Sequence, residues 1–539
     1  MLKKQINPKK TVGKRLLSVL ILLTMLAGML AGCKADQDTM QHELNILDDN
    51  YRNFYEIFVA SFYDSDGDGM GDLNGVTEKL DYIQDMGFTG IWLMPVMPAP
   101  SYHKYDTTDY RDIDEAYGTL EDFENLLREC HERGIYVVID FVINHSSNQH
   151  PWFLEACDYL SNLPEGQEPD AQECPYVEYY HFSREQVNSS YAEIPGGGWY
   201  YEAVFYYTQP DLNWENEAVR EEFDEITKFW VDLGVDGFRV DAAMHFNDSD
   251  TEENLEILNR LYTCGLSVNP DFYMVSEVWA NESTVAKYYE SLTPSMFNFD
   301  TCSAEGKLVR AAKGSSDATK LVHAMLDYQE TFSAENPDYI DAPFLTNHDQ
   351  VRVANNLQSN ENDLKMACGL LMMMSGNPFV YYGEEIGMSS KGTKDENKRL
   401  PMLWSDTDKI GMTEKPEGAD DGIESAFPAV DEQLEDPNSL LNYYKRALRL
   451  RNENPEIARG TITIVESLCE GDQAVITKTY DGSTIGIVYN TSDDTLELSL
   501  AGTELTDMEL RGELTLNGER VTLAEDVLQM PPQSVCILK

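Results

Sequence analysis

Eight short apolar runs recur along the chain, each ending in polar residues: YEIFVASF (55–62), TGIWLMPV (89–96), GIYVVIDFVINH (134–145), GVDGFRVD (234–241), FYMVSEVW (272–279), SMFNFD (295–300), APFLTNHD (342–349) and NPFVYYGEE (377–385). Their hydrophobicity is continuous rather than alternating, as in strands buried on both faces. Between them lie stretches such as LEDFENLLRECHERG (120–134) and REEFDEITKFWVDLG (220–234), with apolar residues at three- and four-residue spacing that predicts helices. Strand–helix alternation repeated eight times predicts a parallel (β/α)8 TIM barrel over 51–145 and 208–455. One interval breaks the rhythm. Residues 146–207 are rich in Tyr, Pro, Gly and Glu without clear periodicity, which predicts a subdomain inserted after strand three. The helical stretch SLLNYYKRALRLRNENP (439–455) closes the barrel region. Beyond it TITIVES, QAVITKTY, STIGIVYN, LELSL and SVCILK predict a C-terminal antiparallel β-sandwich over 456–539.

Asp and Glu outnumber Lys and Arg by 95 to 40, for a formal net charge of −55. That surplus opposes nucleic-acid binding, which needs phosphate-neutralising cations. No protein partner is indicated either. The N-terminus carries an address. Six basic residues from Lys3 to Arg15 precede LLSVLILLTMLAGMLA (16–31), and then comes LAGC (30–33). A basic segment followed by an apolar one is an export signal. Small residues leading into Cys33 resemble a bacterial lipobox, in which the cysteine becomes the lipidated N-terminus after residues 1–32 are removed. The alternative is a single-pass anchor; the position of the cysteine favours the lipobox. Residues 34–50 then read as a polar tether to the outside of the cytoplasmic membrane. Eight further cysteines contain no CxxC pair, so a metal cluster is not indicated, and Cys157 with Cys174 is left open as a disulfide.

DSDGDGMGD (64–72) places acidic oxygens at alternate positions with a glycine for a sharp turn, the opening of a calcium loop. It is not an EF-hand: the twelfth position is Gly75, and the flank before it reads as a strand. An acidic loop without an ion is the competing interpretation.

In a barrel of this kind, functional groups project from the C-terminal ends of strands. Those ends carry Asp140, Asn144 and His145; Arg239 and Asp241; Glu277; and Asn347, His348 and Asp349, while run two leads to His103, Tyr105 and Asp106. Singly, an Asp after a strand is a cap or turn residue and a His is structural. Jointly, carboxylates converging from strands four, five and seven are too costly to bury without a use. Paired carboxylates are what glycosidic cleavage requires, one protonated and one ionised. Arg239 lies two residues from Asp241 on the same strand face, which favours an ionised nucleophile. The apolar neighbours Val278 and Trp279 favour a raised pKa at Glu277, suited to an acid/base.

These residues resemble the α-amylase family of glycoside hydrolases (family thirteen) from about residue 51 onward. DFVINH (140–145), GFRVDAAMH (237–245), EVW (277–279) and FLTNHDQ (344–350) are similar to its four main motifs, in order, and QPDLN (209–213) to its fifth. GIWLMPV and GNPFVYYGEEIGM (376–388) are similar to its second- and eighth-strand segments. By position the resemblance implies Asp241 as nucleophile, Glu277 as acid/base and Asp349 as a third carboxylate gripping sugar hydroxyls. It implies Arg239 orienting Asp241, His145 and His348 hydrogen-bonded to the sugar, and Tyr105 stacked on it with Asp106 nearby. It implies retention of configuration, hence a carboxylate separation of about 5–5.5 Å. It also implies one structural Ca2+ held by Asp64, Asp66, Asp68, Asp72 and the Met70 carbonyl, and a second near Asn144.

Within the family, Ala242 after the nucleophile resembles α-1,4-acting members, whereas QPDLN and the acidic loop resemble oligosaccharide-acting α-glucosidases. Met244-His245 stands where many α-amylases have Lys-His. The expected activity is hydrolysis of α-1,4-glucosidic bonds in starch and maltooligosaccharides. An oligo-α-1,6-glucosidase and an α-glucosyl transferase are the enzymatic alternatives, and a sugar-binding lipoprotein is the non-enzymatic one.

Overall fold

The computed structural model describes residues 46, 48–164 and 166–539; the apolar leader, Cys33 and most of the tether lie outside the described residues. In chain order the barrel begins with β1 (Phe54–Ile57), β2 (Gly90–Leu93) and β3 (Tyr136–Phe141). Three short strands of the insertion follow: β4 (Phe182–Ser183), β5 (Tyr191–Glu193) and β6 (Tyr200–Glu202). The barrel resumes with β7 (Gly237–Val240), β8 (Tyr273–Ser276), β9 (Ser295–Asn298), β10 (Ala342–Pro343) and β11 (Phe379–Tyr381). All eight apolar runs therefore become strands. They pair in parallel in the order β10-β9-β8-β7-β3-β2-β1-β11, and a parallel bridge from Phe344 to Phe379 joins the two ends. The first run is shorter as a strand than its sequence suggests, because the chain turns out of the sheet in a 3-10 segment at Val59–Ser61.

Successive strand residues point to opposite faces. Phe54, Trp92, Val138, Tyr273, Val275, Phe297 and Phe379 fill the inside of the barrel as one apolar cluster, with the Phe54 and Phe379 rings stacked 4.6 Å apart. Two residues further along the same strands, the inward positions turn polar: Glu56 after Phe54, Asp140 after Val138, Arg239 and Asp241 after Gly237, Glu277 after Val275. Gly237 is required where it stands, since a Cβ there would lie 2.2 Å from the Tyr273 carbonyl oxygen. Alternation thus lifts every charged group to the C-terminal mouth of the barrel.

The outer helices follow local signals. Helix Leu120–Glu132 starts in a capping box between Thr119 and Asp122, and helix Glu217–Leu233 ends at Gly234 with φ 113°. The insertion contains more order than its composition suggests: helix Pro151–Asn162 buries Phe153, Ala156, Cys157 and Leu160, a true helical spacing followed by a long loop-forming stretch. Cys157 and Cys174 are both buried free thiols, so the disulfide left open from sequence is not formed. Antiparallel bridges from His145 to Asp211 and from Tyr180 to Leu212 tie the insertion back to the end of β3.

The C-terminal region packs a five-stranded antiparallel sheet against a three-stranded one. The larger contains β12 (Thr461–Ile464), β13 (Gln473–Tyr480), β14 (Ser483–Asn490), β16 (Leu510–Leu514) and β19 (Ser534–Leu538). The smaller contains β15 (Leu496–Ser499), β17 (Thr522–Ala524) and β18 (Val527–Met530). Val475, Val488, Leu498, Leu528, Cys536 and Leu538 form the core between them. Lys478 of β13 donates to the carbonyls of Met373 (3.0 Å) and Ile457 (2.6 Å), and Arg451 donates to those of Met372 (2.8 Å) and Met374 (2.6 Å). Two buried cations thus finish the end of helix Glu361–Met372, whose last carbonyls have no partner within the helix. Among the described residues no helix is long and apolar enough to cross a membrane.

Candidate active site

A cavity of about 340 Å³ opens at the barrel mouth, lined among others by Tyr105, His145, Asp241, Glu277, Asp349 and Arg399. Beneath its floor, outside the lining, stands Arg239, 1% exposed. One guanidinium nitrogen, Nη1, donates to Asp140 Oδ1 (2.9 Å) and to Asp241 Oδ1 (2.5 Å), and Nη2 forms an ion pair with Glu277 Oε1 (3.0 Å). Three carboxylates therefore share one cation. In a water-poor site a single positive charge cannot hold three negative ones, so one carboxyl retains a proton. Burial pushes Glu277 up to about 7; Arg239 pulls the other way, and Asp241 and Asp349 add to the rise. The shift thus comes from burial in general, since Trp279 itself is 54% exposed and stacks on Phe299. Burial also pushes Asp140 up, to about 6, against the pull of Arg239. The Ala242 N–H donates to Glu277 Oε2 (3.0 Å) and fixes the direction in which that carboxyl faces the cavity.

Asp349 has the opposite environment. Burial would raise it, but His348, Arg399 and Arg239 outweigh that and hold its carboxyl well below the usual range. Arg399 Nη2 donates to Asp349 Oδ1 (2.9 Å), and His348 Nε2 lies 3.1 Å from Asp349 Oδ2. The mouth thus contains a carboxyl that keeps its proton near neutrality and a carboxylate held ionised.

The structure brings Tyr105, His145, Asp241, Glu277 and Asp349 together on the cavity wall. His145 donates from Nε2 to the Tyr105 carbonyl at 2.9 Å. Arg239 lies behind the wall and acts through the carboxylates. His348 is 0% exposed and does not line the cavity; its Nδ1 meets Glu56 and its Nε2 meets Asp349 and the Tyr105 hydroxyl. Both ring nitrogens are thus engaged by protein groups just behind the wall. Asp106 also stays outside the cavity, its carboxyl accepting a short hydrogen bond from the Ser101 hydroxyl.

Arg399 and Phe205 were not identified from sequence. Arg399 comes from a loop fifty positions beyond Asp349, and no spacing points from one to the other. Phe205, from the insertion, and Gln209, the first residue of QPDLN, form part of the wall, with the Phe205 ring 5.1 Å from that of His245. His103 lines it too; the Tyr105 N–H donates to its Nδ1, and burial lowers its pKa to about 4, so it is neutral with its proton on Nε2. Glu56 could have been noticed, being a carboxylate inside an otherwise apolar run.

In the acidic loop, Asp64, Asp66 and Asp72 each offer an oxygen, all within 4.8 Å of one another. Asp68 falls outside this group and accepts from the Met70 N–H (2.8 Å). Asp72 caps helix Leu73–Glu78 by accepting from the Gly75 N–H. Near Asn144, the side-chain amide donates to Asp211 Oδ1 (3.2 Å), while Asn144 Oδ1 is buried without a hydrogen-bond partner. Among the described residues, the acidic loop is the one cluster of three such ligand groups.

Comparison with known proteins agrees with this geometry. The model of the alpha amylase catalytic domain matches residues 56–460. Alpha-amylase 3 of Dictyoglomus thermophilum is 40% identical over 427 residues, spanning 77% of this chain and 80% of its own. An oligo-1,6-glucosidase of Parageobacillus thermoglucosidasius is 29% identical over 82% of this chain and 90% of its own. The solved structure of Eubacterium rectale Amy13B superposes with a TM-score of 0.88 at 44% identity, covering 92% of this chain and 96% of that one. A barrel with its charged groups gathered at one mouth, and matches spanning it from end to end, place this chain in the α-amylase family of glycoside hydrolases.

Proposed function

We propose that the protein hydrolyses α-1,4-glucosidic bonds in starch and maltooligosaccharides by double displacement. The observation that carries this reading is the single Arg239 guanidinium shared by Asp241 and Glu277 at the cavity floor, 2.5 Å and 3.0 Å away. Asp241 attacks the anomeric carbon as the bond to the leaving oxygen breaks, and Glu277 gives that oxygen its proton. Glu277, now ionised, takes a proton from water, and the resulting hydroxyl displaces Asp241 with retained configuration. Asp349, held ionised by His348 and Arg399, accepts hydrogen bonds from sugar hydroxyls. The 1,4 preference is supported by Ala242, which lines the cavity, and by the relative named alpha-amylase at 40% identity, against 29% for the oligo-1,6-glucosidase. Products from soluble starch and, in parallel, from isomaltotriose test it. Maltooligosaccharides from starch with isomaltotriose intact are expected; glucose from isomaltotriose with starch nearly inert would replace it with the 1,6 reading.

The acidic loop fits Ca2+, because hard oxygen ligands crowd within 4.8 Å there and such crowding repels unless a cation intervenes. The ion would cross-link the loop after β1, with Asp64, Asp66 and Asp72 as its core ligands and Asp68 and the Met70 carbonyl beside them. Chelation should lower the melting temperature and added Ca2+ restore it; indifference to both would remove the site. Export and lipid attachment through Cys33 rest on the basic, apolar and LAGC pattern of residues 1–33. Incorporation of a labelled fatty acid that survives Cys33→Ser would sink that reading.

A further inference from the structure

The furthest-reaching observation lies directly behind the cavity wall. Glu56, on β1, is 1% exposed and has an apolar residue on either side. Its Oε1 sits 2.5 Å from His348 Nδ1. On the far side of the same ring, Nε2 sits 2.7 Å from the Tyr105 hydroxyl and 3.1 Å from Asp349 Oδ2. The Tyr105 hydroxyl also lies 2.9 Å from Asp140 Oδ2.

Proton counting decides what this chain of contacts can be. A neutral imidazole has one N–H and one lone pair, whereas an ionised carboxylate only accepts. With a carboxylate at each nitrogen, a neutral ring would set a lone pair against one of them inside the protein. The imidazolium satisfies both. Once Nε2 carries a proton, the Tyr105 hydroxyl cannot donate to it, so its single proton goes to Asp140, which also accepts from Arg239. One consistent orientation then runs from Glu56 through His348 to Asp349 and Tyr105, and on to Asp140 and the guanidinium that holds Asp241 and Glu277.

We propose that Glu56 is a positioning residue for the hydrolytic reaction: it holds His348 as a permanent imidazolium, which keeps Asp349 ionised and directs the Tyr105 hydroxyl to Asp140. The inference rests on the glycosidase reading only for its kinetic arm. Charged and titratable groups facing His348 are Glu56 from β1, Tyr105 from the loop after β2, Asp140 from β3, Asp349 beside it, and Arg239 and Arg399 beyond the carboxylates. Burial works against the cation, but Asp349 and Glu56 outweigh it and raise His348 to about 9.

The first test needs neither a variant nor a substrate. Neutron diffraction from a deuterium-exchanged crystal of the protein at pH 8 should show deuterium on both ring nitrogens of His348. Density on one nitrogen alone overturns the proposal, whatever the substrate proves to be. The kinetic test is Glu56→Gln, which preserves shape and one acceptor but removes the charge. His348 then loses its proton within the working range, so kcat/KM on maltooligosaccharide should fall about tenfold at pH 8 and only about twofold at pH 5.5, with the loss mainly in kcat. A loss equal at both pH values means that Glu56 only packs, and the proposal fails. If Glu56→Gln does not fold, the neutron result still decides.

Discussion

Among the buried cations of the described residues, Arg239 at the barrel mouth and the pair Lys478 and Arg451 at the C-terminal junction are used in opposite ways. At the barrel mouth, Arg239 faces three carboxyls. At the junction with the C-terminal sheets, Lys478 and Arg451 face main-chain carbonyls, with Ser375 and Asn53 as their side-chain partners. Burial is nearly complete in both places. The environment of Arg239 holds its proton more firmly, whereas burial lowers Arg451 to about 9 and Lys478 well below its ordinary value. Buried charge alone is therefore no sign of a reaction site. What marks the mouth is an excess of carboxyls over cations, which forces one of them to keep a proton.

The comparison can be broken most sharply at Asp241. Asp241→Asn should lower kcat by about 10⁴-fold or more, as loss of a nucleophile does, with little change in melting temperature. A variant that keeps more than about a tenth of the activity would mean that the mouth is not the reaction site. The proton carried by Glu277 gives the next effect. Because its pKa is raised to about 7, the acid form is lost as pH rises through that value, and kcat/KM should fall about tenfold per pH unit above it. The same shift has a stability sign: relative to the ordinary glutamate value of 4.5, the native state gains protons, so this contribution is full below about pH 4.5 and is lost as pH rises to about 7. Glu277→Gln should remove that slope from the stability curve; an unaltered slope would assign it elsewhere. Lys478→Met tests the other group. It should cost about 2–4 kcal/mol by leaving helix-end carbonyls bare, while kcat of the folded protein stays unchanged. A large fall in kcat without loss of stability would merge the two groups into one functional unit.

The difference also explains what could be read from sequence. Strand periodicity and strand-end polarity locate Asp241, Glu277 and Asp349, because each lies at a fixed offset from an apolar run and the barrel converts that offset into one shared mouth. Arg399 escapes such reading, since it arrives on a loop whose path depends on contacts such as the Ser61 hydroxyl donating to the Arg399 carbonyl. Lys478 escapes for a different reason: on β13 it shares a face with the buried Ala474 and Ile476 but looks like any strand lysine until the helix end beneath it is known. His348 shows the converse case. A motif identifies the residue, yet the side of the wall on which its nitrogens are spent depends on Glu56, nearly three hundred positions earlier in the chain.

The seam of the barrel has a consequence for how the chain reaches this state. β1 pairs with β11, and the Arg52 N–H donates to Asn377 Oδ1 across 325 positions. The first strand to emerge during synthesis therefore waits for the last before its second edge is covered. Contacts of such sequence separation make folding slow and leave an open strand edge exposed meanwhile. A chain stopped before Phe379 retains seven of the eight strands and cannot close the ring. Assembly of the mouth is thus a late event, gated by completion of the barrel rather than by the formation of any one strand.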